Sequence, residues 1–158
     1  MDGDSSLVIF LLLSGARYDI KDYAGSEPLL YAAMRGNKKI TRLLLNHGAS
    51  PLVQDNDGKN LLHIALEAHQ HTYISWYLKQ YEAKSLSMMQ ERLYGDTPLH
   101  TAIKLHQPLS ICLLLAIQPP LNIRNNHNKT VFDLARDSGD TSLIELLESC
   151  AILFKCST

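Results

Sequence analysis

Residues 95–102 read Gly-Asp-Thr-Pro-Leu-His-Thr-Ala, and a related octapeptide occurs three more times in the chain. The other copies are Gly-Ser-Glu-Pro-Leu-Leu-Tyr-Ala at 25–32, Gly-Lys-Asn-Leu-Leu-His-Ile-Ala at 58–65 and Asn-Lys-Thr-Val-Phe-Asp-Leu-Ala at 128–135. Their first residues are 33, 37 and 33 positions apart, counted from 25 to 58, 58 to 95 and 95 to 128. A period of this length predicts stacked structural repeats, and one unit carries an insertion of about four residues.

A leucine-rich segment follows each octapeptide. After the first copy it contains Ile40, Leu43, Leu44 and Leu45 and ends in His-Gly-Ala at 47–49. The same pattern occurs 33 residues earlier, which predicts that the apolar run 7–13 is a repeat helix. The run superficially resembles a signal peptide, but acidic residues precede it where basic ones are typical, and it is too short to span a bilayer.

These residues resemble the ankyrin repeat family, whose units of about 33 residues carry a Thr-Pro-Leu-His-x-Ala signature. Residues 97–102 match the signature fully and the other copies match it in part. The resemblance covers roughly residues 3–149 and implies an all-α ankyrin-repeat solenoid of helix-turn-helix units with short β-hairpin fingers, about four repeats plus an incomplete first unit. It also implies that the signature histidines, His63 and His100, hydrogen-bond to backbone between repeats.

We expect a single domain, 1–158, divided into five units. The first unit is a partial repeat (1–21), and because it has only its second helix we expect further repeats to precede it. The second unit is 22–54, the third unit carries the insertion and is 55–91, the fourth is 92–124, and the fifth (125–158) is a C-terminal capping repeat with an apolar tail that we expect to fold back. Pro28 and Pro98 are expected to begin helices, because the fixed φ of proline suits the first helical turn. Leu99 is expected in the core.

Composition restricts the classes of partner and the compartment. Fifteen Lys plus Arg against sixteen Asp plus Glu give a net charge of −1. This charge provides no positive field for nucleic acid or an anionic membrane, so neither is an expected partner. Three cysteines, an odd number, favour a reducing compartment, so we expect an intracellular protein, cytoplasmic or nuclear. Cys112 lies in an apolar run and is expected to be a buried thiol.

Candidate catalytic and metal-binding residues are sparse. His69, His71 and His106 could suggest a metal site, but no cysteine or carboxylate at a suitable spacing completes a tetrahedral set. The sequence has no glycine-rich phosphate loop, no Gly-x-Ser-x-Gly elbow and no His-Glu-x-x-His motif. We therefore predict that the chain is not an enzyme and needs no metal or other cofactor, and a metal-dependent or catalytic domain remains a minor alternative.

The favoured hypothesis is a non-enzymatic module that binds another protein, of unknown identity, as a monomer or as part of a longer chain. Fingertips and the exposed ends of first helices are the positions that packing does not need, so they are free to form a concave binding surface. Tyr23, Arg35 and Tyr94 are the preferred anchors, since Tyr and Arg are enriched among residues that dominate interface energy. The full predicted set is Tyr23, Ser26, Met34, Arg35, Asn56, Asp57, Lys59, Glu67, Tyr94, Asp96, Lys104, Asn126, His127 and Lys129.

Two further expectations concern the insertion and the wider protein. The insertion lies within Tyr81 to Tyr94, where Met88, Met89 and Leu93 could repack against a partner. A longer finger before a Thr-Pro-Leu-His signature also resembles the inhibitors of Rel-type transcription factors. The alternative function is therefore a fragment of a larger adaptor, effector or Rel-inhibitor-like regulator whose activity lies outside this chain.

Overall fold

A computed structural model describes residues 3–155, apart from the side chains of 3–5, 150, 151 and 153–155. Cys150 and Cys156, which contribute to the odd cysteine count, have side chains outside this description. Ten helices lie within the described range. They are α1 (Gly3–Leu13), α2 (Pro28–Met34), α3 (Lys38–Asn46), α4 (Leu61–Glu67), α5 (His71–Gln80), α6 (Lys84–Met88), α7 (Pro98–Lys104), α8 (Pro108–Leu115), α9 (Val131–Ser138) and α10 (Thr141–Lys155).

The helices pack in pairs that form two rows. The first helices α2, α4, α7 and α9 pack on one another in chain order. The second helices α1, α3, α5 and α8 form the other row, and α10 pairs with α9. This arrangement of successive helix pairs confirms the predicted all-α ankyrin solenoid, and it confirms that the apolar run 7–13 lies in a repeat helix, α1. The exact unit boundaries stay a prediction.

The starts of the first helices follow from their sequences. Proline opens α2 at Pro28 and α7 at Pro98, as predicted. In α7 the hydroxyl of Thr97 and the side chain of His100 cap each other's backbone N–H groups, and Asn60 and His63 do the same in α4. Such a capping box satisfies two N–H groups that an isolated helix would leave without partners.

Alanines at one register position set the spacing of the first-helix row. Ala32, Ala65, Ala102 and Ala135 are all at most 5% exposed. Their small side chains allow neighbouring helices to approach closely, while the larger Leu99 is 2% exposed and lies in the core, as predicted. The core is thus continuous along the row, and each unit buries its apolar face against the next.

An aromatic cluster on α5 fills the second-helix row of the third unit. The Tyr73 and Tyr77 side chains are buried, and the ring centroids of Tyr77 and Tyr81 are 4.9 Å apart. The Tyr73 hydroxyl hydrogen-bonds to the Thr41 hydroxyl at 2.9 Å, which joins α5 to α3. Burial raises the pKa of Tyr73 and raises the pKa of Tyr77 to about 12, so these two phenols stay neutral at physiological pH.

The insertion adds a short helix, α6, that contacts α4 and α7. Leu86 is 1% exposed, and its carbonyl accepts a 2.7 Å hydrogen bond from the buried amide of Asn60. Met89 packs partly buried against the core, while Met88 is exposed. α6 therefore anchors this segment to the repeat, and repacking of its methionines against a partner stays a prediction.

Three expectations differ from the structure. Cys112 is exposed, not buried, because α8 turns that side chain away from α5 and α7. The tail does not fold back, because α10 continues through Lys155. The fingers are tight turns instead of paired strands, and one isolated β-bridge, between Gln54 and Asn60, occurs in residues 3–155. None of the helices described there has the length and apolar character needed to cross a bilayer.

Candidate functional site

Four fingers precede the first helices, and we number them by unit: finger 2 (22–26), finger 3 (55–59), finger 4 (91–96) and finger 5 (125–129). In fingers 2, 3 and 5 one side-chain oxygen accepts backbone N–H groups inside the turn. The Asp22 carboxylate accepts from the Ser26 N–H at 2.8 Å, and the Asp55 carboxylate accepts from the Lys59 N–H at 2.8 Å. The Asn125 amide oxygen accepts from the Lys129 N–H at 3.0 Å. These bonds stiffen the turns and fix where their tips point.

Finger 4 achieves the same closure with Glu91. This carboxylate is 5% exposed and accepts the backbone N–H groups of Leu93 at 2.7 Å, Tyr94 at 2.6 Å and Asp96 at 3.2 Å. Glu91 was not predicted from the sequence, because it lies four residues before Gly95, whereas Asp22 lies three before its glycine. The longer glutamate side chain compensates for the extra residue.

Neighbouring fingers are linked tip to tip, and we call each link a joint. At joint 2–3 the Asn56 backbone N–H donates to the Ala24 carbonyl at 2.8 Å. At joint 3–4 the Arg92 N–H donates to the Asp57 carbonyl, and at joint 4–5 the Asn126 N–H donates to that of Tyr94. The fingertips thus form a continuous hydrogen-bonded edge along the solenoid.

A ladder of ion pairs lies where the fingers face the ends of the first helices. Lys59 bonds to Glu67 at 2.7 Å, Asp96 to Lys104, and Lys129 to Asp137. The three pairs occupy equivalent positions in the third, fourth and fifth units, and their polarity alternates from one unit to the next. Every member except Asp137 is among the predicted site residues, and Asp137 occupies the same register position as Glu67 and Lys104.

The predicted site residues fall into three groups by exposure. The exposed residues, which include the fully exposed Tyr23, are Tyr23, Met34, Arg35, Asn56, Asp57, Glu67, Tyr94, Lys104, Asn126 and His127. Ser26, Lys59 and Lys129 are half-buried. The expectation that Asp96 is a free surface position is wrong, because its residue is 3% exposed and its carboxylate accepts from Lys104 and, at 2.7 Å, from the Asn125 amide.

Some exposed fingertip residues also serve the scaffold. The Asn56 amide donates to the Tyr23 carbonyl at 2.9 Å, and the Asn126 amide donates to the Leu93 carbonyl at 3.3 Å. Tyr23 and Arg35 make no side-chain hydrogen bond or ion pair within residues 3–155, so their side chains are available.

A hollow of about 370 Å³ lies between the third and fourth units, below fingers 3 and 4. Six of the predicted site residues line it, together with Glu91, Leu93 and Leu105. The Lys104 ammonium lies 4.8 Å from the centre of the Tyr94 ring, and the His127 ring lies on the neighbouring fingertip, 6.0 Å from that of Tyr94. The hollow therefore combines charged groups with an aromatic wall.

The signature histidines are part of the scaffold, as the resemblance implied. His63 bonds through Nε2 to the Asp96 carbonyl at 3.0 Å, and His100 bonds to the Lys129 carbonyl at 3.2 Å. Because a carbonyl only accepts, each Nε2 carries the proton. Burial lowers the pKa of His63 to about 4 and also lowers the pKa of His100, so both rings are neutral at physiological pH.

The histidines considered for a metal site have structural roles. His69 and His106 hold positive φ values of 53° and 49°, at the helix-ending position that Gly36 occupies in the second unit. His71 Nδ1 hydrogen-bonds to the Ser110 hydroxyl at 2.7 Å. Among the residues that the structure describes, no three His, Cys, Asp or Glu side chains gather as a metal site would require.

Comparison with known proteins establishes the family. The family model for ankyrin repeats, in three copies, matches residues 1–88. The chain belongs to the ankyrin repeat family. Ankyrin repeats are protein-interaction modules, and the helix pairs beyond residue 88 continue the same stacking.

Relatives of this ankyrin repeat chain are longer proteins. It is 29% identical to the NF-kappa-B inhibitor delta of Mus musculus over 82% of this chain and 45% of the relative. It is 31% identical to the nuclear factor NF-kappa-B p105 subunit of Gallus gallus over 88% of this chain and 14% of that protein. A shorter match, 42% identical over 41% of this chain and 8% of the relative, is the ADP-ribosylation factor GTPase-activating protein AGD4 of Arabidopsis thaliana. The chain spans less than half the length of each.

Proposed function

We propose that this ankyrin chain is a non-enzymatic module that binds a partner protein through its fingertips and the ends of its first helices. The observation that carries the proposal is a row of exposed side chains on one face, from Tyr23 to His127, above a scaffold whose finger bonds are made internally. A surface whose backbone is already rigid loses little backbone entropy on binding. Its intracellular location stays a prediction.

Tyr23, Arg35 and Tyr94 are the proposed anchors. Tyr23 is fully exposed at the tip of finger 2, and Arg35 follows the end of α2 on the same unit. Both carry large side chains that a partner can bury, and such residues dominate the binding energy of typical interfaces. Asp96 contributes indirectly in this proposal, since its carboxylate holds the Lys104 ammonium beside the Tyr94 ring.

A second proposal is that the chain is the repeat segment of a larger regulator. It is supported by its 29% identity to the NF-kappa-B inhibitor delta and by the small share of each relative that it spans. In that case a Rel-type protein is one candidate partner, and any further activity lies in other parts of the protein.

The test compares capture by matched variants. We expect Tyr23→Ala with Arg35→Ala to lose proteins that the unchanged chain retains from a cell lysate, identified by mass spectrometry. The melting temperature should be nearly unchanged, because neither side chain is bonded within the scaffold. The control is Arg42→Ala, which removes an exposed arginine of the second-helix row that lies 5.7 Å from the Trp76 ring centre. Capture that survives the double substitution contradicts the proposed surface.

A further inference from the structure

The hollow between the third and fourth units contains more negative than positive charge. The carboxylates of Asp57, Glu67, Glu91 and Asp96 line it, against the ammonium groups of two lysines. The whole chain has a net charge of only −1, so negative charge is concentrated here relative to the rest of the molecule. A hollow in which charge of one sign dominates raises the local concentration of oppositely charged groups.

The two lysines are already engaged. Lys59 bonds to Glu67 at 2.7 Å, and Lys104 bonds to Asp96. Asp57 and Glu91 make no ion pair in the part of the chain that the structure describes. Glu91 accepts only neutral N–H groups, so its negative charge is not cancelled by a nearby cation.

Other ionisable groups in the hollow respond to this charge. Burial alone would lower the pKa of Lys59, but its hydrogen bond to Glu67 and the charges of Glu67, Asp55 and Asp57 raise it. Burial lowers the pKa of His63, while Glu91 and Asp96 oppose that shift. His63 therefore stays neutral and supplies no compensating charge.

The walls of the hollow suit the stem of a long cationic side chain. Leu93 and Leu105 are apolar, and the Tyr94 ring already has the Lys104 ammonium over it at 4.8 Å. An aromatic face attracts cations, and aliphatic walls can pack against the methylene groups of lysine or arginine. The chain's own Lys104 already covers the Tyr94 ring, so this wall shows that the hollow accommodates a long cationic side chain, and the walls of Leu93 and Leu105 remain for the stem of a second one.

We propose that this hollow receives an arginine or lysine side chain, flanked by apolar residues, from an extended segment of the partner protein. The inference rests on the proposed function and names the partner's chemistry at one position. Asp57, which is exposed and makes no ion pair in the described residues, is the main acceptor for the incoming cation, the exposed Glu67 shares its carboxylate between that cation and Lys59, and Glu91 supplies charge from below. Arginine can bond to two carboxylates at once because its guanidinium presents five N–H donors in a plane.

The test is a nuclear magnetic resonance titration of the whole chain with the acetylated peptide amide Gly-Leu-Arg-Leu-Gly. We expect saturable shifts of the backbone amides of Tyr94 and Lys104, and weaker binding when the ionic strength rises from about 0.05 to about 0.5 M. The matched peptide with Gln in place of Arg should bind far more weakly. Asp57→Asn with Glu67→Gln should raise the Kd by about fivefold or more. Asp137→Asn, an exposed carboxylate of the same ladder outside the hollow, is the control and should leave the Kd unchanged.

Three results overturn the inference: equal shifts with the Gln peptide, an unchanged Kd in the double variant, or shifts confined to other units. Its failure is distinguishable from failure of the proposed function. If protein capture still depends on Tyr23 and Arg35, the interaction surface stands and only the cation pocket is wrong. If capture is also independent of those two residues, the proposed function is wrong as well.

Discussion

Joint 2–3 and joint 3–4 hold neighbouring fingers with different side chains. At joint 2–3 the Asn56 amide donates to the Tyr23 carbonyl at 2.9 Å, and at joint 3–4 the Arg92 guanidinium donates to the Asn56 carbonyl at 3.1 Å. In both, a backbone N–H also donates to the carbonyl of the preceding tip, Ala24 or Asp57. The comparison teaches that the solenoid tolerates an insertion because its joint depends on a backbone bond, which any residue except proline can donate.

Replacing the glycine next to a joint by alanine should cause the largest loss of stability. A Cβ on Gly25 would lie 2.8 Å from the Asn56 backbone nitrogen, and one on Gly58 would lie 3.1 Å from that of Arg92. Both glycines have φ of 77°, which disfavours other residues. We expect Gly25→Ala to lower the free energy of unfolding by about 3 kcal/mol and Gly58→Ala by about 2 kcal/mol, measured by urea denaturation.

The matched control for these substitutions is Gly139→Ala. Gly139 has a similar φ of 70°, but a Cβ there would meet nothing within 4 Å. Only the conformational cost of about 1 kcal/mol is expected. Equal losses at Gly25 and Gly139 would show that the joint is not closely packed.

The next largest expected effect is a loss of stability on acidification, through the contact between the third and fourth units. His63 on α4 bonds to the Asp96 carbonyl of the next unit, and burial lowers the pKa of His63 from 6.5 to about 4. The His63 ring therefore binds a proton more readily in the unfolded chain than in the folded one. Its contribution to stability is present above pH 6.5 and falls as the pH drops towards 4. At pH 5 the loss should be about 2 kcal/mol relative to pH 7, measured by urea denaturation.

Variants separate this effect from general acid sensitivity. His63→Gln should be less stable at pH 7 but should show a flatter pH dependence. The exposed His127, replaced by Gln, should leave the pH dependence as it was. An unchanged slope in His63→Gln would mean that another group responds to acid.

The smallest expected effects come from removing the side chain that supports a joint, which is an asparagine at joints 2–3 and 4–5 and an arginine at joint 3–4. Asn126→Ala removes an amide that donates to the Arg92 and Leu93 carbonyls at joint 4–5, and we expect a loss of about 1 kcal/mol. Arg92→Ala removes one exposed bond and should cost about 0.5 kcal/mol. Thermal melts compare the stability of the two variants. A larger loss of stability for Arg92→Ala would show that joint 3–4, which follows the insertion, depends more on its side chain than joint 4–5 does.

The sequence predicted the repeat fold well because spacing and proline placement are local signals. Pro28 and Pro98 begin helices as predicted, and His63 and His100 bridge units as the family resemblance implied. Each of these features occurs in two units at the same register position, so one copy supports the interpretation of the other. Leu99 lies in the core for the same reason.

The sequence did not predict features that depend on a neighbouring unit. Asp96 and Lys59 share a register position, yet only Asp96 is fully buried, because the Asn125 amide of the next finger covers it. Cys112 lies in an apolar run, yet α8 directs it outward. Glu91 closes a finger only because the insertion shifts that turn by one residue.

Because the ion pairs of the ladder alternate in polarity, the order of the units affects how well their charges match. Deleting the fourth unit would make Lys59 the neighbour of Lys129 and Glu67 the neighbour of Asp137, so that like charges would adjoin on both sides. Like charges at close range repel. The units of this protein are therefore not interchangeable, and removing the fourth unit would create an electrostatic mismatch that removing the fifth would not.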